Sequence, residues 1–275
     1  MMRLRLAIAC ASLWLASNAV AQSVIQHDMP AASPAPADAP RHVPPDPPSA
    51  PMAPMSSAQM VETMQMDDAA AYGAFEADQL EWRDADGDFG WDVQGWYGGD
   101  YNKIRLRSEG EARSGSVDDA SAEALWDHVV ARWWNSLAGV RHDFGEGPER
   151  TWLAIGIEGL APQWFDVAAT LYLGDSGRTA ARAHVRYEWL LTQRLVLQPQ
   201  VELNLYGEQD AARGLGSGLS DFEAGLRLRY EVRRELAPYI GVEWRRLFGG
   251  TADFARAAGD DASTVQFVAG LRLRF

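Results

Sequence analysis

From about Asp78 to Phe275 the chain repeats one pattern: segments of about ten residues in which apolar and polar side chains alternate, separated by Gly, Asp and Ser clusters. Successive side chains of a strand point to opposite faces, so each such segment predicts a strand with two faces in two solvents. In Thr179 to Leu190 one face reads Ala181, Ala183, Val185, Tyr187 and Trp189, and the other Arg182, His184, Arg186 and Glu188. Leu195 to Tyr206 sets Leu195, Leu197, Val201, Leu203 and Leu205 against Gln198, Gln200, Glu202 and Asn204. Phe222, Ala224, Leu226, Leu228 and Tyr230 likewise alternate with Asp221, Glu223, Arg227, Arg229 and Glu231. A soluble sandwich also has one apolar face per strand. The density of ionisable groups on the polar face favours a wet lumen instead.

The last segment strengthens the membrane reading. Val265, Phe267, Ala269, Leu271, Leu273 and Phe275 alternate with Gln266, Gly270, Arg272 and Arg274. This resembles the closing strand of bacterial outer-membrane proteins, whose terminal phenylalanine is part of the signal read by the barrel-assembly machinery. An open apolar edge invites aggregation, whereas closure into a barrel removes the edge and pairs every backbone group in lipid. Strands are expected near 77–84, 89–98, 102–112, 121–131, 133–144, 150–160, 163–173, 179–190, 194–207, 219–232, 236–248 and 264–275. That is an even number, as bacterial barrels have, although 77–84 and 121–131 alternate weakly. The predicted fold is all-β: a transmembrane antiparallel up-and-down β-barrel of about 12 strands (10 to 12), with a disordered Met/Pro-rich N-terminal arm. Trp82, Trp91, Trp96, Tyr97, Trp133, Trp134, Trp152, Trp164 and Trp189 are expected in two interfacial girdles. Gly207–Leu219 and Gly249–Ser263 are expected as longer extracellular loops.

The beginning of the chain reads differently. Arg3 and Arg5, an apolar run from Leu6 to Leu15, and Ala19-Val20-Ala21 fit a cleaved secretory signal. Its removal would take the single cysteine, Cys10, with it. The segment after it is dense in Ala, Pro and Met, and Pro44-Pro45, Pro47-Pro48, Pro51 and Pro54 disfavour both helix and sheet. The expected division is a signal peptide over 1–21, a periplasmic arm over 22–76 and a barrel over 77–275, placed in the cell outer membrane and in contact with its lipid. A formal net charge of −13 argues against nucleic acid as a partner and suits attraction of cations.

All eight methionines precede residue 67, and five of them, Met52, Met55, Met60, Met64 and Met66, lie close together. Methionine is normally a filler of apolar cores, so a chain that keeps it out of its large body and crowds it into a polar leader uses the thioether otherwise. Soft, neutral thioethers favour Cu(I), and a spacing such as Met60-x-x-x-Met64-x-Met66 lets several sulfurs reach one ion. His27 and Met29, with Asp28 between them, add imidazole and oxygen donors that suit Cu(II). The competing reading is a linker whose methionines are incidental. In the lumen, Arg141, Asp143, Asp166, Arg182, His184, Arg186, Glu188, Glu202, Asp221, Glu223, Arg227, Arg229, Glu231 and Glu243 point inward on this reading, most of them as ion-pair ladders. His184, beside acidic neighbours, is the candidate exception as a metal ligand, while His128 and His142 fall on the apolar phase near an interface.

Several runs resemble the copper resistance protein B family. They include Trp91-Asp-Val-Gln-Gly-Trp-Tyr-Gly-Gly-Asp-Tyr-Asn-Lys103, Ala138-Gly-Val-Arg-His-Asp-Phe144, Gly159-Leu-Ala-Pro-Gln-Trp-Phe165, Leu191-Thr-Gln-Arg-Leu-Val-Leu-Gln-Pro199, Glu202-Leu-Asn-Leu-Tyr-Gly207 and Arg229-Tyr-Glu-Val-Arg-Arg-Glu-Leu-Ala-Pro-Tyr-Ile-Gly241. The resemblance covers almost all of 78–275. It implies an outer-membrane barrel of copper-tolerant bacteria, acting with a periplasmic multicopper oxidase, and a Met- and His-rich leader, a pattern that falls here on Met52 to Met66. The expected function is copper binding by the arm, with sequestration or assisted passage across the outer membrane. The alternative is a small porin-like channel with an inert leader. An enzyme is not expected: Ser217 and Ser220 have no histidine in their loop, and nucleophilic catalysis needs a base within hydrogen-bond reach.

Overall fold

The structure is a computed structural model that describes Ser56 and residues 70–83, 88–113, 115–145 and 147–275. Its strands are β1 (Tyr72–Arg83), β2 (Asp88–Gly98), β3 (Asn102–Arg113), β4 (Ser116–Ala131), β5 (Trp134–Gly145) and β6 (Arg150–Ala161). There follow β7 (Phe165–Gly174), β8 (Thr179–Arg186, resuming at Trp189–Leu190), β9 (Leu195–Tyr206), β10 (Gly218–Tyr230), β11 (Leu236–Leu247) and β12 (Ser263–Arg274). A helix, α1 (Gly249–Ala258), lies between β11 and β12.

Each strand pairs antiparallel with the next, and β12 returns to β1 with Glu76 opposite Arg274 and Arg83 opposite Val268. Phe75 and Phe275 complete this seam by exchanging both backbone hydrogen bonds, at 2.9 and 2.8 Å. The sheet is therefore a closed up-and-down barrel of twelve strands, as the alternation predicts. Closure leaves no edge for another chain to extend.

Departures from the sequence expectation have local causes. The first strand begins at Tyr72 rather than near 77, and its pairing shifts between Ala77 and Gln79 on one side and between Ala77 and Leu80 on the other. That bulge scrambles the alternation that would have announced the strand. The eighth strand is interrupted at Tyr187 and Glu188, beside Pro199 of β9, whose nitrogen has no hydrogen to donate to the ladder. Residues 249–258, expected within a loop, form α1: the run Thr251-Ala-Asp-Phe-Ala-Arg-Ala-Ala is rich in alanine, the best helix former. Gly259, at φ 97°, ends the helix and returns its N–H to the carbonyls of Ala255 and Arg256.

The outer wall is apolar. Ile104, Leu106, Leu153, Ile155, Leu171, Ile240, Val265 and Phe267 are all exposed, which a protein in water would avoid and a lipid-facing band requires. Exposed aromatic residues gather toward its two ends, with Tyr97, Tyr101, Trp126, Trp133, Trp164, Trp189 and Phe275 near the end where β1 begins and β12 ends and Trp82 and Trp244 near the other. Trp152 is not among them. It shares the inner face with Arg141, is 6% exposed, and donates from Nε1 to Asp143 at 2.7 Å. There it packs with Leu125, Leu137, Ala154 and Tyr172 in a small apolar cluster inside the barrel.

Candidate functional site in the barrel lumen

Inside the barrel the side chains form a weave of arginines and carboxylates that runs from wall to wall. Asp78, on the β1 bulge, binds Arg186 of β8 at 2.7 Å and Arg272 of β12 at 2.9 Å. The bulge turns Gln79 inward as well, where it meets Gln200 of β9 at 3.4 Å and Arg227 of β10 at 3.3 Å. Glu81, with no exposed surface, accepts from Arg227 at 3.0 Å, from Tyr239 at 3.0 Å and from Arg83 at 3.2 Å. One strand thus supplies Glu76, Asp78, Gln79, Glu81 and Arg83 to the interior, and re-aiming side chains in this way is what bulges do.

Other contacts span the same space. Arg182 of β8 reaches Glu109 of β3, and Arg105 and Arg107 of β3 both reach Glu158 of β6. Arg245 of β11 meets Glu111 of β3 at 3.5 Å, and Arg229 binds Gln198 at 2.6 Å and Glu188 at 3.0 Å. Arg141 pairs with Asp143 at 2.6 Å, and Tyr172 donates to Glu123 at 2.7 Å. Because several of these pairs link strands far apart around the ring, the middle of the lumen is occupied by side chains.

The chemistry of the weave rests on residue choice. Among 25 basic residues the one lysine is Lys103, which lies over Trp96 near the end where β1 begins. Arginine keeps its charge, and its planar fork serves two carboxylates at once, as Arg227 does between Glu81 and Glu243. Charges taken from water are costly unless paired in good geometry. Most of the weave meets that condition, but Asp92 and Glu223 have no ion pair among the described residues, Asp221 is held by the Asn204 amide at 3.0 Å, and single atoms of Asp127, Arg227, Arg229 and Arg245 are buried without a hydrogen-bond partner.

His184 stands on the inner face of β8, directly across from Glu202 of β9, which in turn faces Glu223 of β10. These groups share a row of the wall. Among the described residues, however, no three His, Cys, Asp or Glu side chains gather into a metal-holding group. His128 and His142 lie on the outer face, bonded through Nδ1 to Asn102 and to Thr151, each at 2.9 Å. Met52, Met55, Met60, Met64, Met66, His27 and Met29 lie outside the described residues. The luminal charges of β5 and of β7 to β11 were legible in the sequence, whereas those of β1 to β4 and Glu158 of β6 were overlooked. Arg105, Arg107, Glu109 and Glu111, spaced by two, carried the signal.

These features define a transmembrane β-barrel whose interior is filled by ion-paired side chains. The chain belongs to the copper resistance protein B family: the family model described as copper resistance protein B precursor matches residues 71–275, the whole span from β1 to the end. A copper resistance protein B homolog of Pseudomonas syringae pv. tomato (strain ATCC BAA-871 / DC3000) is 47% identical over 253 residues, covering 90% of this chain and 85% of its own length. Copper resistance protein B of Escherichia coli is 48% identical over 200 residues, 72% of this chain and 68% of its own. Among solved structures, a NanC porin aligns at 12% identity with a TM-score of 0.48, over 74% of this chain and 99% of that one.

Proposed function

We propose that this protein supports copper resistance from the outer membrane, by binding copper through its methionine-rich arm while the barrel anchors that arm. The observation that carries the reading is the division of ligands along the chain. Every thioether precedes β1, in a protein of a copper resistance family, and the barrel has none. Copper is the cargo here. The soft Cu(I) ion is suited to Met52, Met55, Met60, Met64 and Met66, with His27 and Met29 as donors toward Cu(II). The lumen offers carboxylates and arginines, which suit neither a resident soft metal nor a wide aqueous pore. On this reading the arm faces the periplasm, sequesters copper or hands it on, and a periplasmic multicopper oxidase is a fitting recipient. His184, facing Glu202 across one strand pair, is a subsidiary station for a passing ion. Nothing in the fold calls for a catalytic step.

The test is copper tolerance of cells that carry the chain with Met52, Met55, Met60, Met64 and Met66 all replaced by leucine. Tolerance should fall toward that of cells without the protein while the barrel still assembles. Unchanged tolerance would support the inert-leader channel instead.

A further inference from the structure

The mouth at which β1 ends and β12 begins is bridged. Residues 207–217, between β9 and β10, fold back on themselves through paired backbone bonds between Asp210 and Leu215, 2.9 and 3.0 Å, and a short turn at Ala211–Arg213 forms the tip. The tip reaches well beyond its neighbours. Asp210 accepts from Arg150 of β6 at 2.9 Å, and Arg213 donates to Asp119 of β4 at 2.7 Å and to the Pro148 carbonyl at 3.0 Å. From β9 to β4 is nearly half the ring, so the segment lies across the opening.

Its base is fixed differently. The Gly216 N–H donates to Thr251 Oγ1 of α1 at 2.8 Å, and Thr251 Oγ1 lies 2.9 Å from Ser220 Oγ at the start of β10. A Cβ at Gly216 would come within 2.5 Å of the Thr251 nitrogen, so only glycine allows this approach. Gly214 at φ 67° and Gly218 at φ 89° flank that clamp in the left-handed region. Directly inward lies a small cavity lined by Arg141, Asp143, Trp152, Tyr172, Ala180 and Tyr206.

We propose that residues 207–217 are a hinged strap that gates access to the lumen, with Asp210–Arg150 and Arg213–Asp119 as its latch and the Thr251 clamp as its fixed end. The two halves differ in kind. The base is held by close backbone packing, whereas the tip is held by two side-chain ion pairs and one hydrogen bond to a carbonyl, contacts that can part without unpairing a strand. Arg178 stands behind the first pair, 3.9 Å from Asp210. Burial opposes ionisation of Asp210, yet the bond to Arg150 and the charges of Arg150 and Arg178 outweigh it and hold the carboxyl below the usual carboxylate range.

The experiment uses the full chain in lipid nanodiscs, with Cys10→Ser and a reporter Ala180→Cys on the cavity wall, labelled by a charged methanethiosulfonate. Asp119→Asn with Asp210→Asn removes the latch charges and leaves Arg213 intact for trypsin. Folding is checked by the heat-dependent gel mobility of the closed barrel. Labelling at position 180 should rise by about tenfold, the ratio that corresponds to ~1.4 kcal/mol, and tryptic cleavage after Arg213 should rise with it. Labelling that is equally fast with the latch intact, or unchanged when the latch charges are removed, overturns the proposal. The readout involves no copper and stands apart from the copper reading.

Discussion

The outer and inner faces of the barrel are built from alternate residues of the same twelve strands, and they reverse the usual distribution of a folded protein. Ile155, Leu171, Ile240 and Phe267 are 51% to 65% exposed, whereas Glu81, Asp127, Glu243 and Arg227 are at most 2% exposed. The difference teaches what each face must satisfy. Lipid offers no hydrogen bonds, so the outer face tolerates only apolar groups and aromatic ends. The inner face admits charge if each charge finds a partner, and arginine lets few groups satisfy many.

Substitutions can break that contrast in order of cost. Arg227→Met removes the nearer of the two cations that Glu81 and Glu243 share and leaves them only Arg83, at 3.2 and 3.9 Å, and we expect a loss of ~3–5 kcal/mol in reversible urea unfolding from lipid. A loss below ~1 kcal/mol would mean the lumen is wet enough to screen the pair. On the other face, Ile155→Arg puts a charge in the lipid-facing band and should cost ~2–4 kcal/mol by the same measurement. A smaller effect, about 1–3 kcal/mol, is expected for Asp78→Ala. Arg186 keeps Asp166 at 2.8 Å and Arg272 keeps Glu76 and Glu188, so no arginine is stranded. Smallest is Gly259→Ala outside the barrel wall. Its left-handed cap should cost about 1 kcal/mol and loosen α1, read as faster amide exchange over 249–258.

The same contrast explains what could be read from the chain without coordinates. Alternation showed β8 to β10 most clearly because both faces are nearly pure there: Ala181, Ala183 and Val185 outside, Arg182, His184 and Arg186 inside. It blurred at β1, where Asp78 and Gln79 both point inward across the bulge. Trp152 misled because an indole suits either an interfacial girdle or an inner wall. What decided its face was the acceptor Asp143 on the preceding strand, a register fact rather than a compositional one. The luminal pairs were legible as charges and not as partners, since Arg186 and Asp78 lie 108 positions apart. The strap and its contact with α1 depend on glycines placed for a close approach, which composition alone does not reveal.

The division between a sulfur-bearing arm and a sulfur-free barrel is the center of the functional account. It is tested most directly by titrating the full-length protein in detergent with Cu(I), and with silver as its surrogate, beside the form in which Met52, Met55, Met60, Met64 and Met66 are leucine. The account predicts tight binding by the first, in the micromolar range or better (about −8 kcal/mol or more favourable), and its loss in the second with the barrel still folded. Equal binding by both forms would place the copper site elsewhere in the protein and contradict it.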